Sequence, residues 1–364
     1  MAFPKENKIT KGQWFCKEGE NQDVILSTRA RIVRNLADFS FPNFLTKSET
    51  ERVEIIILDA LKDDSVCEYY AVKKEEMSEK SLKLLNECGI LKESLKEYSS
   101  VVLSNDGLSS LIINSTDHVK ISSIVAGLNV EEAMKNVYRI DEVLQTKLQF
   151  AASYDFGYLS SRIKDSGTGL KFSVYCHIPG IVLSGEVETL KKEINKKGYC
   201  IKKVFDSTTD YEKENYIFEL STDLNLCQTE IDQSIDLKSI CQLIIKKERK
   251  IKAFFADNKS VYAQNFVQKS WGKVLFSLFF DFNEAMSVIM AIKFGVELKI
   301  ISLPQEINFV SLMYQIKDHH IDYLLDNYDF SFEEEIADNH KMKIQRLRAV
   351  ILQQSFEKIE LKGK

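Results

Sequence analysis

Proline and glycine are scarce, at 4 and 14 in a chain of 364 residues. Long Pro/Gly linkers and collagen-like structure are thereby excluded. Cysteine offers no framework either. The seven cysteines, Cys16, Cys67, Cys88, Cys176, Cys200, Cys227 and Cys241, are odd in number, scattered and never paired as CxxC. That pattern argues against a disulfide scaffold and against a cysteine-built zinc site. No window reaches the ~18 uninterrupted apolar residues of a membrane span. The apolar stretch Val274–Phe282 is broken by Ser277 and Asp281, and the N-terminal residues MAFPKENKITKGQW lack the apolar core of a signal peptide. An excess of positive charge is missing too: 49 Lys+Arg stand against 54 Asp+Glu, for a net charge of −5. A chain-wide footprint for nucleic acid is therefore absent, while a local basic pocket remains open. The expectation is a cytoplasmic protein with neither nucleic acid nor membrane as partner.

What is present is ordinary globular composition, 44% hydrophobic and 28% charged. At roughly 150 residues per domain the chain has room for two or three. Up to about residue 100 the signals are the apolar strand Val24–Leu26, the cation cluster Ser27–Asn35 and helices after Ser48 and over Glu79–Glu87. Ser48 is the expected N-cap, with Glu51 three residues on. Between 101 and 225, short β-rich runs (Ser99–Leu103, Leu108–Ile113, Val119–Val125, Leu170–Ile178, Cys200–Phe205, Tyr216–Leu220) alternate with an amphipathic helix over Val130–Phe150 and another over Gly185–Lys197. Asn105-Asp106-Gly107 marks a hairpin. From about 235 onward helical periodicity dominates. The fold class expected is α+β with a mostly antiparallel sheet, followed by an all-α C-terminal domain. The boundary is set at residues 1–250 and 251–364.

Three segments have residue types that suit chemistry. In Ser27-Thr-Arg-Ala-Arg-Ile-Val-Arg-Asn35, Arg29 and Arg31 are two apart, so extended backbone projects both from one face. Two forked guanidiniums suit an oligophosphate, and an exposed basic edge strand would look the same. Gly167-Thr-Gly-Leu-Lys171 is a glycine-bounded turn with a cation at its exit, fit for backbone approach to phosphate or simply a loop between strands. It is no GxxxxGK[ST] loop. Asn114-Ser-Thr-Asp-His-Val-Lys120 sets Asp117 beside His118, as a catalytic pair or as a turn Asp next to a solvated His. The histidines His319, His320 and His340 lack metal-site spacing. Glu333–Glu335 reads as a solvated helix start, and Phe276–Phe282 with Trp271 as helical core.

The order and spacing of these segments resemble the phosphagen (guanidino) kinases, and within them the bacterial protein-arginine kinase branch. The most specific parts are Val24-Ile-Leu-Ser-Thr-Arg-Ala-Arg-Ile-Val-Arg-Asn-Leu and Gly157-Tyr-Leu…Gly167-Thr-Gly-Leu-Lys…Ser173-Val…His177-Ile-Pro-Gly, and the likeness covers roughly residues 20 to 250. The resemblance implies an antiparallel sheet flanked by helices with ATP across it, Mg²⁺ accompanying the nucleotide, and transfer of the γ-phosphoryl group to a guanidinium. It further implies that Arg29, Arg31, Lys120, Lys171 and His177 bind nucleotide. Lys120 and Lys171 stand in place of two of the family's five arginines, and Val204 in place of the fifth. The family's NEEDH segment reads Asn114–His118, which puts Thr116 at the catalytic glutamate and Asp117 beside it. Thr209 falls at a second carboxylate, and Arg162 at the substrate-site cysteine. The C-terminal part fits the branch's phosphoarginine-binding domain in position, with only Arg348-Ala349 matching its motif. The expectation is a degenerate member that binds nucleotide and transfers phosphate poorly. Its role would be regulatory or scaffolding, with a protein partner or as a homo-oligomer. The alternative is an active kinase on protein arginine or another acceptor, with Asp117 or Asp165 as substitute base.

Overall fold

The computed structural model describes residues 13–91, 95–204, 216–222, 229–258, 260–303 and 306–361. Thr209 and Cys227 lie outside the described residues. Compactness divides the chain into two units. The first comprises residues 1–176, 190–202 and 219–243, the second 177–189, 203–218 and 244–364.

An eight-stranded sheet organises the first unit. In chain order the strands are β1 (Ile25–Arg34), β2 (Tyr69–Lys73), β3 (Ser100–Ser104), β4 (Ser109–Ile113) and β5 (Val119–Ala126), then the two-residue pair β6 (Ala152–Ser153) and β7 (Gly157–Tyr158), then β8 (Leu170–His177), β9 (Tyr199–Lys203) and β10 (Ile217–Thr222). The pair β6–β7 stands apart as a small sheet, and the large sheet runs β2-β3-β4-β5-β1-β8-β10-β9. Every pairing from β2 across to β8 is antiparallel. The cation cluster is thus no edge strand. It is β1 itself, central in the sheet and ten residues long. Three residues of local apolar signal marked only its start, because the rest of the strand is specified by its neighbours.

One face of the sheet is closed by the helix Val130–Gln145, which packs on β1 and β5. Its apolar stripe Val130, Ala133, Val137, Ile140 and Leu144 is wholly buried. Ala30 and Ile32 of β1 are fully buried as well, as their parity on the strand requires. The helix ends at Gln145, five residues before the periodicity does. The helix Lys47–Leu61 starts two residues earlier than expected. Thr46 caps it, in a reciprocal capping box with Glu49. The sequence offers two S/T-x-x-E patterns in overlap, and the backbone uses the first.

Arg34 ends β1 on the helix-facing side. Its guanidinium meets Asp141 at 2.9 Å and donates to the Thr168 carbonyl at 2.9 Å. The Tyr158 ring stacks on it at 3.6 Å. An ion pair so buried depends on its further hydrogen bonds. The bond to Thr168 tethers the loop that leads into β8, while Arg34 Nε and Asp141 Oδ1 have no hydrogen-bond partner among the described residues.

The second unit is helical through Glu230–Asp257 (its residues from 244), Val261–Phe276, Phe282–Glu297, Phe309–Gln315, Asp318–Asn327 and His340–Ser355, with a two-residue strand pair, Ile301–Ser302 with Glu360–Leu361. The helix Phe282–Glu297 is buried nearly all round, as befits a central helix. The aromatic stretch expected as core is split. Phe280 is 1% exposed, but Phe276 is 83% exposed because it ends its helix pointing to solvent. Glu333 to Glu335 lie in a turn segment, not a helix start. Glu248 accepts from the Gly180 and Ile181 amides at 2.8 and 2.9 Å, closing the start of the turn Pro179–Leu183. No helix among the described residues is long and apolar enough to cross a membrane.

Arg34→Met or Asp141→Asn alone is expected to lower stability by about 3–5 kcal/mol in urea unfolding, since each leaves a buried group unpaired. The double variant Arg34→Met/Asp141→Leu should recover much of that loss.

Candidate functional site

The register of three strands builds the site. Opposite β1, Arg29 faces Ile124 of β5 and Ser173 of β8, and Arg31 faces Ser122 and Lys171. Two residues further along β1, Val33 faces Lys120. Directly opposed residues share a face. Arg29, Arg31, Lys120 and Lys171 therefore all stand on the face away from the helix Val130–Gln145. They line one cavity of about 370 Å³, together with Arg162 and Glu219. Arg29 and Lys120 are buried, and Arg162 is exposed. Arg29 is fixed from both prongs of its fork: Nη1 donates to the Gly89 carbonyl at 2.9 Å and Nη2 to Ser122 Oγ at 3.2 Å.

A carboxylate sits among these cations. Asp165, at the end of the short turn Ile163–Asp165, presents Oδ1 to Arg31 Nη2 at 3.2 Å and to Lys171 Nζ at 2.5 Å. Burial works to raise the Asp165 pKa. Arg31, Lys171 and Lys120 outweigh it and hold the carboxyl below its usual range. The turn is positioned by a close backbone approach. Tyr158 and Gly167 exchange backbone hydrogen bonds at 2.8 and 3.1 Å. A Cβ on Gly157, at φ +66°, would stand 2.7 Å from the Gly167 oxygen, so glycine is required there.

Asp117 and His118 form no dyad. Asp117 Oδ1 accepts from Asn35 Nδ2 and from the Ser161 amide, both at 2.7 Å. His118 Nδ1 accepts from the Leu36 amide at 3.0 Å, and its own amide donates to Asn35 Oδ1 at 2.9 Å. Both residues are buried, not solvated. They tie the end of β1 to the β4–β5 turn and to residues 159–161. Burial pushes the His118 imidazole down to about 4, against the opposing pull of the Ser40 backbone and Asp117. Thr116, half-buried in the same turn, places Oγ1 3.3 Å from Asp117 Oδ2 and its carbonyl under the Ser161 hydroxyl at 2.6 Å.

His177 does not join the cavity. It is wholly enclosed in the second unit, and neither ring nitrogen has a hydrogen-bond partner among the described residues. Burial, then Lys293 and Lys252, keep it neutral with a pKa well below the ordinary value. The reason is distance along β8: six residues from Lys171 at ~3.3 Å each carry it about 20 Å away. Val204 is half-buried, with its amide bonded to the Ile217 carbonyl at 3.1 Å, and it does not line the cavity. Arg348, also buried, donates to the Ile316 and Phe280 carbonyls at 2.7 and 2.8 Å and to Asp318. Glu219 is the lining residue that motif reasoning missed. Its one signal is the alternation in β10, where Glu219 and Ser221 interleave with buried Phe218 and Leu220.

The chain and its fold have counterparts among known proteins. The family described as ATP:guanido phosphotransferase, C-terminal catalytic domain, matches residues 49–251. The chain belongs to this family. Its curated relatives place it in the bacterial protein-arginine kinase branch. The protein-arginine kinase of Halothermothrix orenii is 27% identical over 314 residues, covering 85% of this chain and 89% of that protein. That of Bacillus cereus (strain AH820) is 27% identical over 303 residues, covering 82% and 85%. Among solved structures, the duplicated taurocyamine kinase from Schistosoma mansoni with bound transition state analog components superposes with a TM-score of 0.58 at 20% identity. That match covers 69% of this chain and 37% of that one. Lombricine kinase superposes with a TM-score of 0.56 at 18% identity, over 65% and 69%. These structures share the fold.

His118 titrates between its unfolded value near 6.5 and about 4. Across that window the unfolded chain binds more protons, so this group's stabilisation is complete above it and falls as pH drops. The stability advantage of the native protein over His118→Gln should therefore shrink as pH is lowered from 7 to 4.5, by at most about 1.4 kcal/mol per pH unit. Urea unfolding across that range measures it.

Proposed function

We propose that this guanidino-kinase-family protein binds Mg-ATP in the cation cavity and has an impaired acceptor site, so that phosphoryl transfer to arginine is slow or lost. Arg29, Arg31, Lys120 and Lys171 would hold the phosphates. Two are forked and two are point charges, which retains attraction and loses part of the bidentate geometry. Mg²⁺ would arrive on the phosphate oxygens and help neutralise charge during transfer.

The observation that carries the reading is the state of the carboxylates. A guanidinium acceptor needs a negative group to seat it and to take its proton. Thr116, at the family's glutamate, has none to offer. Asp117 is bonded to Asn35 and Ser161. Asp165 is held by Arg31 and Lys171, and its lowered pKa makes it a weak base. Arg162 at the cavity wall would repel a second guanidinium. The protein would then act through regulation or scaffolding, as a homo-oligomer or with a protein partner, in the cytoplasm. Residues 1–250 would form the nucleotide-binding part and 251–364 a helical domain.

A second reading draws on two lining residues, Glu219 and Arg162. In it the protein is an active kinase, with Glu219 as base. Its acceptor is arginine, or an anionic group that Arg162 attracts.

Incubation with Mg-ATP and an arginine-rich protein, followed by mass spectrometry for acid-labile phosphoarginine, decides between them. At most a trace of product above that of the double variant Arg31→Ala/Lys171→Ala is expected. Robust product that disappears in Glu219→Gln would establish the second reading. Thr116→Glu/Arg162→Cys is expected to raise product at least about tenfold, equivalent to 1.4 kcal/mol of barrier. Millimolar Mg-ATP should raise the melting temperature of the native protein by a few degrees and leave Arg31→Ala/Lys171→Ala unmoved.

A further inference from the structure

Two cations of the cavity, Arg31 and Lys171, hold a buried carboxylate that lies behind the lining residues. Asp165 is 4% exposed, and a single carboxylate oxygen bridges Arg31 and Lys171. Lys120 adds its field to the same carboxylate. A bridging oxygen between an arginine fork and a lysine is the contact a phosphate oxygen would make. One anionic contact of Arg31 and Lys171 is therefore already made, by a group that cannot leave. Arg29 is less available to compensate, since both prongs of its fork are bonded to Gly89 and Ser122.

We propose that Asp165 is a specificity-determining residue of this cavity, whose fixed carboxylate takes the place of one phosphate and turns nucleotide preference from triphosphate toward diphosphate. The inference rests on nucleotide binding in this cavity. A ligand with one phosphate fewer meets the remaining cations without crowding the carboxylate. A triphosphate must either part Asp165 from Arg31 and Lys171 or bear its repulsion at short range. Loss of this charge should therefore help ATP more than ADP.

The test is calorimetric titration of the full chain with ADP and with ATP, each with saturating Mg²⁺, in the native protein, Asp165→Asn and Asp165→Ser. Asparagine keeps the shape and removes the charge. Serine serves the same comparison if the asparagine variant fails to fold, and melting without ligand shows which is folded. The native protein is expected to bind ADP at least as tightly as ATP. The neutral variants should shift the ATP-to-ADP affinity ratio at least about tenfold toward ATP, and pyrophosphate against tripolyphosphate should move the same way. A purely structural role would weaken all ligands by one factor and leave the ratio fixed, and that result overturns the inference. If the native protein and the folded variants bind no nucleotide or polyphosphate at all, the nucleotide reading falls and the inference with it. If they bind and the ratio stands still, only the inference falls.

Discussion

The antiparallel register of β5, β1 and β8 is the constraint from which the rest follows. It sets Lys120, Arg31 and Lys171 on one face and turns Ala30, Ile32 and Arg34 to the other. A slip of one residue in β5 would carry Lys120 into the helix-packed side. There an ammonium would lose its solvation without a partner. The apolar stripe of the helix Val130–Gln145 thus enforces the position of the cations on the opposite face. Packing on one side of the sheet specifies charge on the other.

Four cations gathered in one sheltered place repel each other, and the structure shows two kinds of relief. Arg29 is bonded to a carbonyl and a hydroxyl, which fixes its direction. Arg31 and Lys171 share the Asp165 carboxylate, which cancels charge. The loop that delivers Asp165 is itself secured twice, by the Tyr158–Gly167 backbone exchange and by Arg34 bonding to Thr168. The buried pair Arg34–Asp141 acts on the site in this indirect way. It joins the end of β1 to the helix through Asp141 and to the loop through Thr168.

Legibility in the sequence followed the range of the interactions. The pairing of Arg29 with Arg31 on one face was readable, because strand parity is local. The place of β1 in the middle of the sheet was not, since its neighbours come from residues 119–126 and 170–177. The α+β class and the antiparallel sheet were legible from short β runs and turn residues. The Asp117–His118 neighbours suggested a dyad because sequence adjacency hides direction. In the fold both turn to Asn35, the last residue of the cation cluster, to which sequence reasoning assigned no role. His177 came from the family resemblance alone, and in the fold it is enclosed in the second unit and does not line the cavity. Glu219 carried only an alternation, shared by any half-buried strand.

The proposed function stands on the register-built cations forming a polyphosphate cradle. A crystal structure of the protein with Mg-ADP tests it most directly. Phosphate oxygens are expected within hydrogen-bonding distance of Arg31, Lys120 and Lys171, on the sheet face away from the helix Val130–Gln145. Well-ordered nucleotide seated elsewhere, with these side chains still bonded as they are here, would contradict it.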